Sequence, residues 1–216
     1  EVFGSLNKSG KFNEETPYNP SSPYSASKAG SDHLVNAWNK TYGLPTIISN
    51  CSNNYGPWQF PEKLIPLIVS RALQNKSIPI YGDGKNIRDW LFVDDHIEAL
   101  MIVANKGNSG SKYCIGGNEE ITNIEMVENI CSIIDKLKPK DQPYRNQISY
   151  VKDRPGHDQR YAIDFSFINK ELGWEPNTRL IDGLKYTVDW YINNQEWCNL
   201  ILEKSNYKLE RIGLSK

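Results

Sequence analysis

Apolar residues fall along the chain in short blocks with two different periods. Pro45-Thr46-Ile47-Ile48-Ser49-Asn50-Cys51 is apolar and β-branched, as expected of a short buried strand. Ile78-Pro79-Ile80-Tyr81, Trp90-Leu91-Phe92-Val93, Tyr113-Cys114-Ile115-Gly116 and residues 148–151 read the same way. Between these blocks the apolar positions recur every three or four residues, the spacing of a helix with one buried face. One helix is predicted from Ser22 to about Tyr42, with Leu34, Val35, Ala37 and Trp38 inward and Gly43 as its terminator. A second covers 61–75, with Leu64, Ile65, Ile68, Val69 and Leu73 inward. Asp94 is predicted to cap a third that runs to about Ala104, and Thr122 or Asn123 to open a fourth ending near Leu137. Further helices are predicted near 165–172 and 180–194. Residues 5–23, rich in Pro, Ser and Asn, read as a surface loop, as does 153–160. Ser52–Pro57 and Gly82-Asp83-Gly84 read as turns. Trp38, Trp174 and Trp190, among apolar neighbours, are predicted to pack in cores.

Strands alternating with helices imply an α/β fold built on a parallel sheet. Such sheets bind ligands beyond the carboxyl ends of their strands, where Glu1, Asn53 and Asn54 are predicted to lie. Composition narrows the picture. The 216 residues carry a net charge of −1 with scattered basic residues, which argues against a nucleic-acid or anionic-membrane surface. No apolar run approaches the roughly 18 residues of a membrane span. Four cysteines without a Cys-x-x-Cys pair favour free thiols in a reducing cytoplasm, and three dispersed histidines predict no metal site.

Tyr24-Ser25-Ala26-Ser27-Lys28 is the first candidate for chemistry. Residues four apart share a helix face, and an ammonium beside a phenol favours the phenolate, a general base. An exposed helix pair is the competing reading. Tyr81 and Lys85 repeat the spacing, but across a Gly-Asp-Gly turn, where it does not align side chains.

Context decides the matter. Glu1-Val2-Phe3-Gly4, Tyr24-Ser-Ala-Ser-Lys28 and Asn50-Cys-Ser-Asn53-Asn54-Tyr55-Gly56-Pro57 together resemble the extended short-chain dehydrogenase/reductase family. Pro61-Glu-Lys63-Leu64-Ile65-Pro66, Pro79-Ile80-Tyr81-Gly82, Arg88-Asp89-Trp90, Asp153-Arg-Pro-Gly-His157-Asp and Tyr161-Ala-Ile-Asp164 extend the resemblance to its nucleotide-sugar 4,6-dehydratases. It covers essentially the whole chain. The resemblance implies a Rossmann-type NAD domain with a smaller nucleotide-sugar lobe, and a homodimer when full-length. The first part would hold residues 1–55, with 86–118 returning to it, and the second mainly 56–85 and 119–216. The implied reaction is NAD-dependent loss of water from dTDP-glucose. By the same resemblance Tyr24 takes the proton of the sugar 4-hydroxyl, Lys28 tunes Tyr24 and holds the nicotinamide ribose, and Glu1 removes the proton on carbon 5. Asn54 would contact the cofactor. Asn53, Lys63, Leu64, Pro79, Tyr81, Arg88, Asn123 and His157 would contact the nucleotide sugar. Taken singly, Lys63 also reads as a solvated helix charge, Arg88 as a partner of Asp89, and His157 as a loop histidine bonded to backbone.

The related epimerases carry a small hydroxyl residue where Glu1 stands, which favours a lyase. Decarboxylases share the carboxylate, but Arg154-Pro-Gly-His157-Asp-Gln-Arg160-Tyr161 points to the dehydratase. A non-catalytic nucleotide-sugar-binding remnant is the alternative from another class. The Gly-rich turn that seats the pyrophosphate and the Thr-Asp pair that the family places before Glu1 are both absent, and Gly116-Gly117 is not that turn. The expectation is therefore of a fragment that, alone, neither holds NAD tightly nor turns over. Equilibrium dialysis of the isolated 216-residue chain should show no stoichiometric NAD; one equivalent bound would contradict it.

Overall fold

The structure is a computed structural model that describes residues 2–7, 9–153 and 156–205. Ser22 opens the first helix, α1 (Pro23–Tyr42), by accepting a hydrogen bond from the Ser25 amide, with Pro23 at the first helical position. There follow β1 (Ile48–Cys51), β2 (Asn53–Tyr55), α2 (Leu64–Leu73), β3 (Ile78–Tyr81), β4 (Ile87–Phe92), α3 (Val93–Lys106) and β5 (Lys112–Ile115). The chain continues through β6 (Glu120–Thr122), α4 (Asn123–Leu137), a 3-10 turn at Tyr144–Gln147, β7 (Ile148–Val151), β8 (Arg160–Tyr161), α5 (Ser166–Leu172), α6 (Leu180–Asn193) and α7 (Gln195–Ser205).

The pairing is mainly parallel, as the alternation of elements implied. β1 pairs with β5, β2 and β8 with β4, and β3 with β7, all parallel; β6 runs antiparallel to β4. The largest core joins Tyr55, Trp90 and Phe92 to α2, α4 and α6, with Ile65, Ile68, Val69, Ile130, Ile134, Leu184 and Val188 at its centre. A second core, under α3, collects Leu91, Ala99, Val103, Tyr113, Ile115, Ile168 and Trp174. A third lies beneath the first loop, where Val2, Phe3 and Phe12 meet Ala29, Cys114, Tyr161 and Ile163.

β4 is the centre of this arrangement. Asp89, in its middle, is fully buried and accepts hydrogen bonds from the backbone amides of Gly117 (3.1 Å), Glu119 (2.9 Å) and Ile163 (3.4 Å). Burial pushes its carboxyl upward, and the three amides oppose that shift. Gly116 and Gly117 thread past β4 with no room for a side chain. A Cβ on Gly117 would lie 1.9 Å from the Trp90 carbonyl oxygen, and one on Gly116 2.1 Å from that of Ile163.

Several expectations are corrected. The face of α1 predicted inward is outward: Leu34 is 64% and Trp38 53% exposed, Ala37 is exposed, and Val35 half-buried. The helix buries Ser25 and Ala29 instead, and Leu34 and Trp38 each stand about 180° round from these. Its small side packs, and Trp38 is no core residue; Trp174 is one, and Trp190 packs at the edge of the largest core. Asn53 and Asn54 form β2 rather than a turn, because pairing with β4 overrides their turn preference. Asp94 does not cap α3. β4 runs straight into the helix, so Phe92 takes the cap position and Val93 is helical. Asp94 and Asp95 complement the helix dipole from the first turn. Asp95 also accepts from the Asn177 and Thr178 amides and the Thr178 hydroxyl, tying α3 to the entry of α6. β6, β8, the 3-10 turn and α7 were not anticipated.

Candidate active site

Two groups of predicted site residues take shape. The first lies where α1 passes over the carboxyl end of β1. Tyr24, 64% exposed, and Lys28, exposed, share one face in the first turns of α1. Cys51, the last residue of β1, accepts a hydrogen bond from Asn54 Nδ2 at 3.2 Å. Burial pushes the Cys51 thiol up, while the Asn54 bond and, more weakly, the positive charge of Lys28 oppose it. Asn54 thus touches Cys51, and Lys28 lies within electrostatic reach of the thiol. Asn54 Nδ2 also donates to the Ser52 carbonyl at 3.2 Å, but Asn54 Oδ1 is buried and has no partner among the described residues. A buried carboxamide oxygen without a donor is costly. It marks a place for a ligand donor beside Lys28.

The second group gathers round the β3–β4 turn. Pro79 and Tyr81 share the outer side of β3, while Ile78 and Ile80 face the core. Arg88, 8% exposed, donates from Nη1 to the Ile87 carbonyl and from Nη2 to that of Asp158, both at 2.8 Å. Asn86 Nδ2 reaches the same Asp158 carbonyl at 3.1 Å, and the Asn86 carbonyl accepts from the Asn123 amide at 2.9 Å. Asn123 is the first residue of α4, whose start is set by a reciprocal Thr122–Glu125 capping box. His157 Nδ1 donates to Asp153 Oδ1 at 2.8 Å. Thus Arg88 and Asn123, far apart in sequence, are joined through Asn86 and the Asp158 carbonyl, and His157 is the residue that precedes Asp158. Arg88 does not pair with Asp89, and His157 bonds to a carboxylate.

The remaining predicted residues stand differently. Asn53 pairs in register with Trp90, two residues beyond Arg88. Lys63 precedes α2 as its cap, exposed, with Nζ 3.2 Å from Glu62; Leu64 is the first residue of that helix. Neither bonds to the Arg88 frame. Glu1 lies outside the described residues, as do Arg154 and Pro155 of the His157 motif. Tyr81 closes a strand and Lys85 bonds to Asp83 in the turn, so that second spacing forms no helical pair. Nothing in the residue pattern marked Asn86 or the Asp158 carbonyl, since the carbonyl is main chain and the Asn86 side chain matters only through it. A concavity of about 470 Å³ lined by Tyr18, Asp32, His33, Lys112 and neighbours holds none of the predicted residues. Within it Tyr18 donates to Asp32 at 2.9 Å, and Asn50 Nδ2, from β1, donates to the same carboxylate oxygen at 2.9 Å.

The match of residues 1–187 to the GDP-mannose 4,6 dehydratase family model decides the ancestry of this site. The chain belongs to that family. It is similar to a dTDP-glucose 4,6-dehydratase of Xanthomonas campestris, 57% identical over 215 residues, which covers 99% of this chain and 61% of that protein. Two solved structures of the same name resemble it. One from Bacillus anthracis, in complex with NAD, has 50% identity and a TM-score of 0.85 over 93% of this chain and 61% of the other. One from Streptomyces venezuelae, also with NAD bound, has 44% identity and a TM-score of 0.86 over 93% and 60%. The α/β architecture matches that of these enzymes, and the chain spans about three-fifths of their length.

The proximity of Lys28 to Cys51 generates a prediction. In the full natural polypeptide carrying this chain, Lys28→Met should slow alkylation of Cys51 by iodoacetamide, because removing the cation raises the thiol further. Peptide mass spectrometry would follow the rate; an unchanged or faster rate would show that the ammonium does not reach the thiol.

Proposed function

We propose that the full natural polypeptide carrying this chain catalyses NAD-dependent elimination of water from dTDP-glucose, giving the 4-keto-6-deoxy sugar. The observation that carries this reading is a pair of polar groups. Tyr24 and Lys28 share one exposed face at the start of α1, and Asn54 Oδ1 is buried without a partner among the described residues, while Arg88 and the His157 loop form a cationic and hydrogen-bonding group suited to a nucleoside diphosphate. The 57% identity to the Xanthomonas enzyme supports the substrate.

The residues around Asn54 fit NAD. Lys28 would hold the nicotinamide ribose, and Asn54 Oδ1 would accept a donor from the cofactor. When bound, NAD supplies a reversible hydride acceptor. Tyr24 takes the proton of the 4-hydroxyl, with Lys28 one turn away on the same helix face. A ketone at carbon 4 acidifies the proton on carbon 5, which Glu1 would remove by its place in the motif as water leaves from carbon 6; the hydride taken from carbon 4 would return to carbon 6 and a proton to carbon 5, so the net change is loss of water. Arg88 grips the diphosphate, with its guanidinium already oriented by two carbonyls. Tyr81 and Pro79 offer a stacking face for the base. Asn53, Lys63, Leu64 and Asn123 complete the sugar and phosphate contacts. In this reading residues 1–55 and 86–118 hold the cofactor, and 56–85 with 119–216 hold the nucleotide sugar. Tyr55, Trp90 and Phe92 are the bridge, since they pack in the core of the second part.

The outward stripe of α1 supports a homodimer. Leu34, Trp38 and Tyr42 lie four residues apart, and Tyr42 is 71% exposed. The four free cysteines favour a reducing, cytoplasmic setting. Among the described residues no helix is long and apolar enough to cross a membrane.

Two experiments test these readings. With NAD present, dTDP-glucose and UDP-glucose are offered separately to the full natural polypeptide, and mass spectrometry looks for loss of one water. Loss from dTDP-glucose is expected, and Tyr24→Phe should lower kcat by about 10²–10⁴-fold. Loss from UDP-glucose alone would overturn the base preference, and loss from neither the dehydratase reading. In sedimentation velocity, Trp38→Glu should convert a dimer to a monomer; an unchanged mass would remove α1 from the interface.

A further inference from the structure

We infer that Asp153 is a positioning residue for nucleotide recognition, which fixes the His157 imidazole with the β3–β4 turn as its backstop; the inference rests on the nucleotide-sugar reading above. The observations start in the β3–β7 ladder. Tyr81 pairs with Val151, and the Gly82 amide donates to the Val151 carbonyl at 3.0 Å. Asp153 therefore leaves the same ladder that carries Tyr81, two residues beyond it.

The Asp153 side chain lies against Gly82. A Cβ on Gly82 would stand 3.0 Å from Asp153 Oδ2, 3.1 Å from Cγ and 3.3 Å from Cβ, and nothing but Asp153 comes as near. On its other side the carboxylate accepts from His157 Nδ1 at 2.8 Å. The Asp153 side chain is 44% exposed and that of His157 only 6%, so the carboxylate holds an almost buried ring from the solvent side. A carboxylate accepts only, so this bond places a proton on Nδ1 and sets the ring plane. The far end of the same loop is pinned by its backbone: the Asp158 carbonyl takes both Arg88 Nη2 and Asn86 Nδ2. His157 thus sits between two anchors, one on the turn that follows Tyr81 and one on the strand that bears Arg88. Asp153 thus registers His157 to the turn that follows Tyr81, while the Asp158 carbonyl registers the same loop to Arg88, and Asp153 need not touch the ligand.

Gly82 offers a test that deletes no polar group. Its φ of +60° and its contact with Asp153 mean that Gly82→Ala strains the turn and pushes on that carboxylate first. The experiment titrates dTDP into the full natural polypeptide by calorimetry and measures kcat and KM for dTDP-glucose. Variants are Asp153→Ala, Asp153→Asn, Gly82→Ala and the Gly82→Ala/Asp153→Ala pair. Loss of a charge-assisted bond to a binding group is expected to weaken dTDP binding and raise KM by about tenfold in Asp153→Ala, with kcat nearly unchanged. Asp153→Asn keeps an acceptor for Nδ1 and should recover most of the affinity. Gly82→Ala should weaken binding in the parent and have little further effect once Asp153 is alanine, the coupling expected of two residues acting through one contact. Unchanged affinity in Asp153→Ala, no recovery in Asp153→Asn, or equal Gly82→Ala effects in both backgrounds would each overturn the inference. If the parent protein itself does not bind dTDP, the nucleotide-sugar reading fails first, and that result is distinct from a parent that binds and variants that bind equally well.

Discussion

The rest of the structure depends on one buried carboxylate. Asp89 sits in the middle of β4, and its two oxygens collect amides from the Gly117–Glu119 segment and from Ile163. Hydrogen bonds to a charged acceptor each contribute about 1.5–3 kcal/mol net, which offsets only part of the desolvation that burial imposes, since the carboxyl stays pushed upward. What these bonds secure is position. They fasten the exit of β5 and the segment after β8 to the strand that also pairs with β2 and β6. Every candidate site residue on β2, β4 and the His157 loop is placed relative to this strand. Arg88 stands one residue from the carboxylate, so its guanidinium, held by two carbonyls, inherits the rigidity of the junction.

The candidate site adds polar frames at either side of that junction. On one side, Asn86 and Arg88 share the Asp158 carbonyl, and the Asn86 carbonyl meets the start of α4. On the other, Asn54 spends both donor directions on Cys51 and Ser52 and leaves its oxygen buried and unanswered. The two frames differ in kind. The first is satisfied by protein and orients side chains toward an anion. The second lacks a donor, and a ligand amide or hydroxyl is the natural group to supply it.

How much of this was legible in the residues varies by element. The periodic helices α2, α4 and α6 and the β-branched strands β1, β3 and β5 were readable because burial itself writes the pattern. Tyr24 and Lys28 were readable because a four-residue spacing on a helix fixes which side chains meet. β2 was not, since Asn53 and Asn54 prefer turns and only pairing with β4 makes them a strand. The burial of α1 was misread for a related reason. Periodicity shows that a helix has an apolar side but not what lies against it, and here Ser25 and Ala29 pack while Leu34 and Trp38 do not. Asp94 looked like a cap only because nothing in the residues showed β4 entering α3 without a loop. Asn86 and the Asp158 carbonyl left no trace at all, for a backbone oxygen has no letter in a sequence.

The pair Gly116–Gly117 has a bearing on how this chain can drift over generations. At each of the two sites the smallest possible side-chain atom would overlap a carbonyl oxygen of a neighbouring segment, not a movable side chain. Gly30, by contrast, has open space around it. Mutation at the first pair is thus nearly lethal to the fold one step at a time, and no single compensating change elsewhere relieves it, because the obstacle is main chain. Lineages that diversify their sugar chemistry must do so around a fixed two-residue passage. Variation is pushed outward to the α2 entry, the β3–β4 turn and the His157 loop, where side chains rather than backbones set the fit.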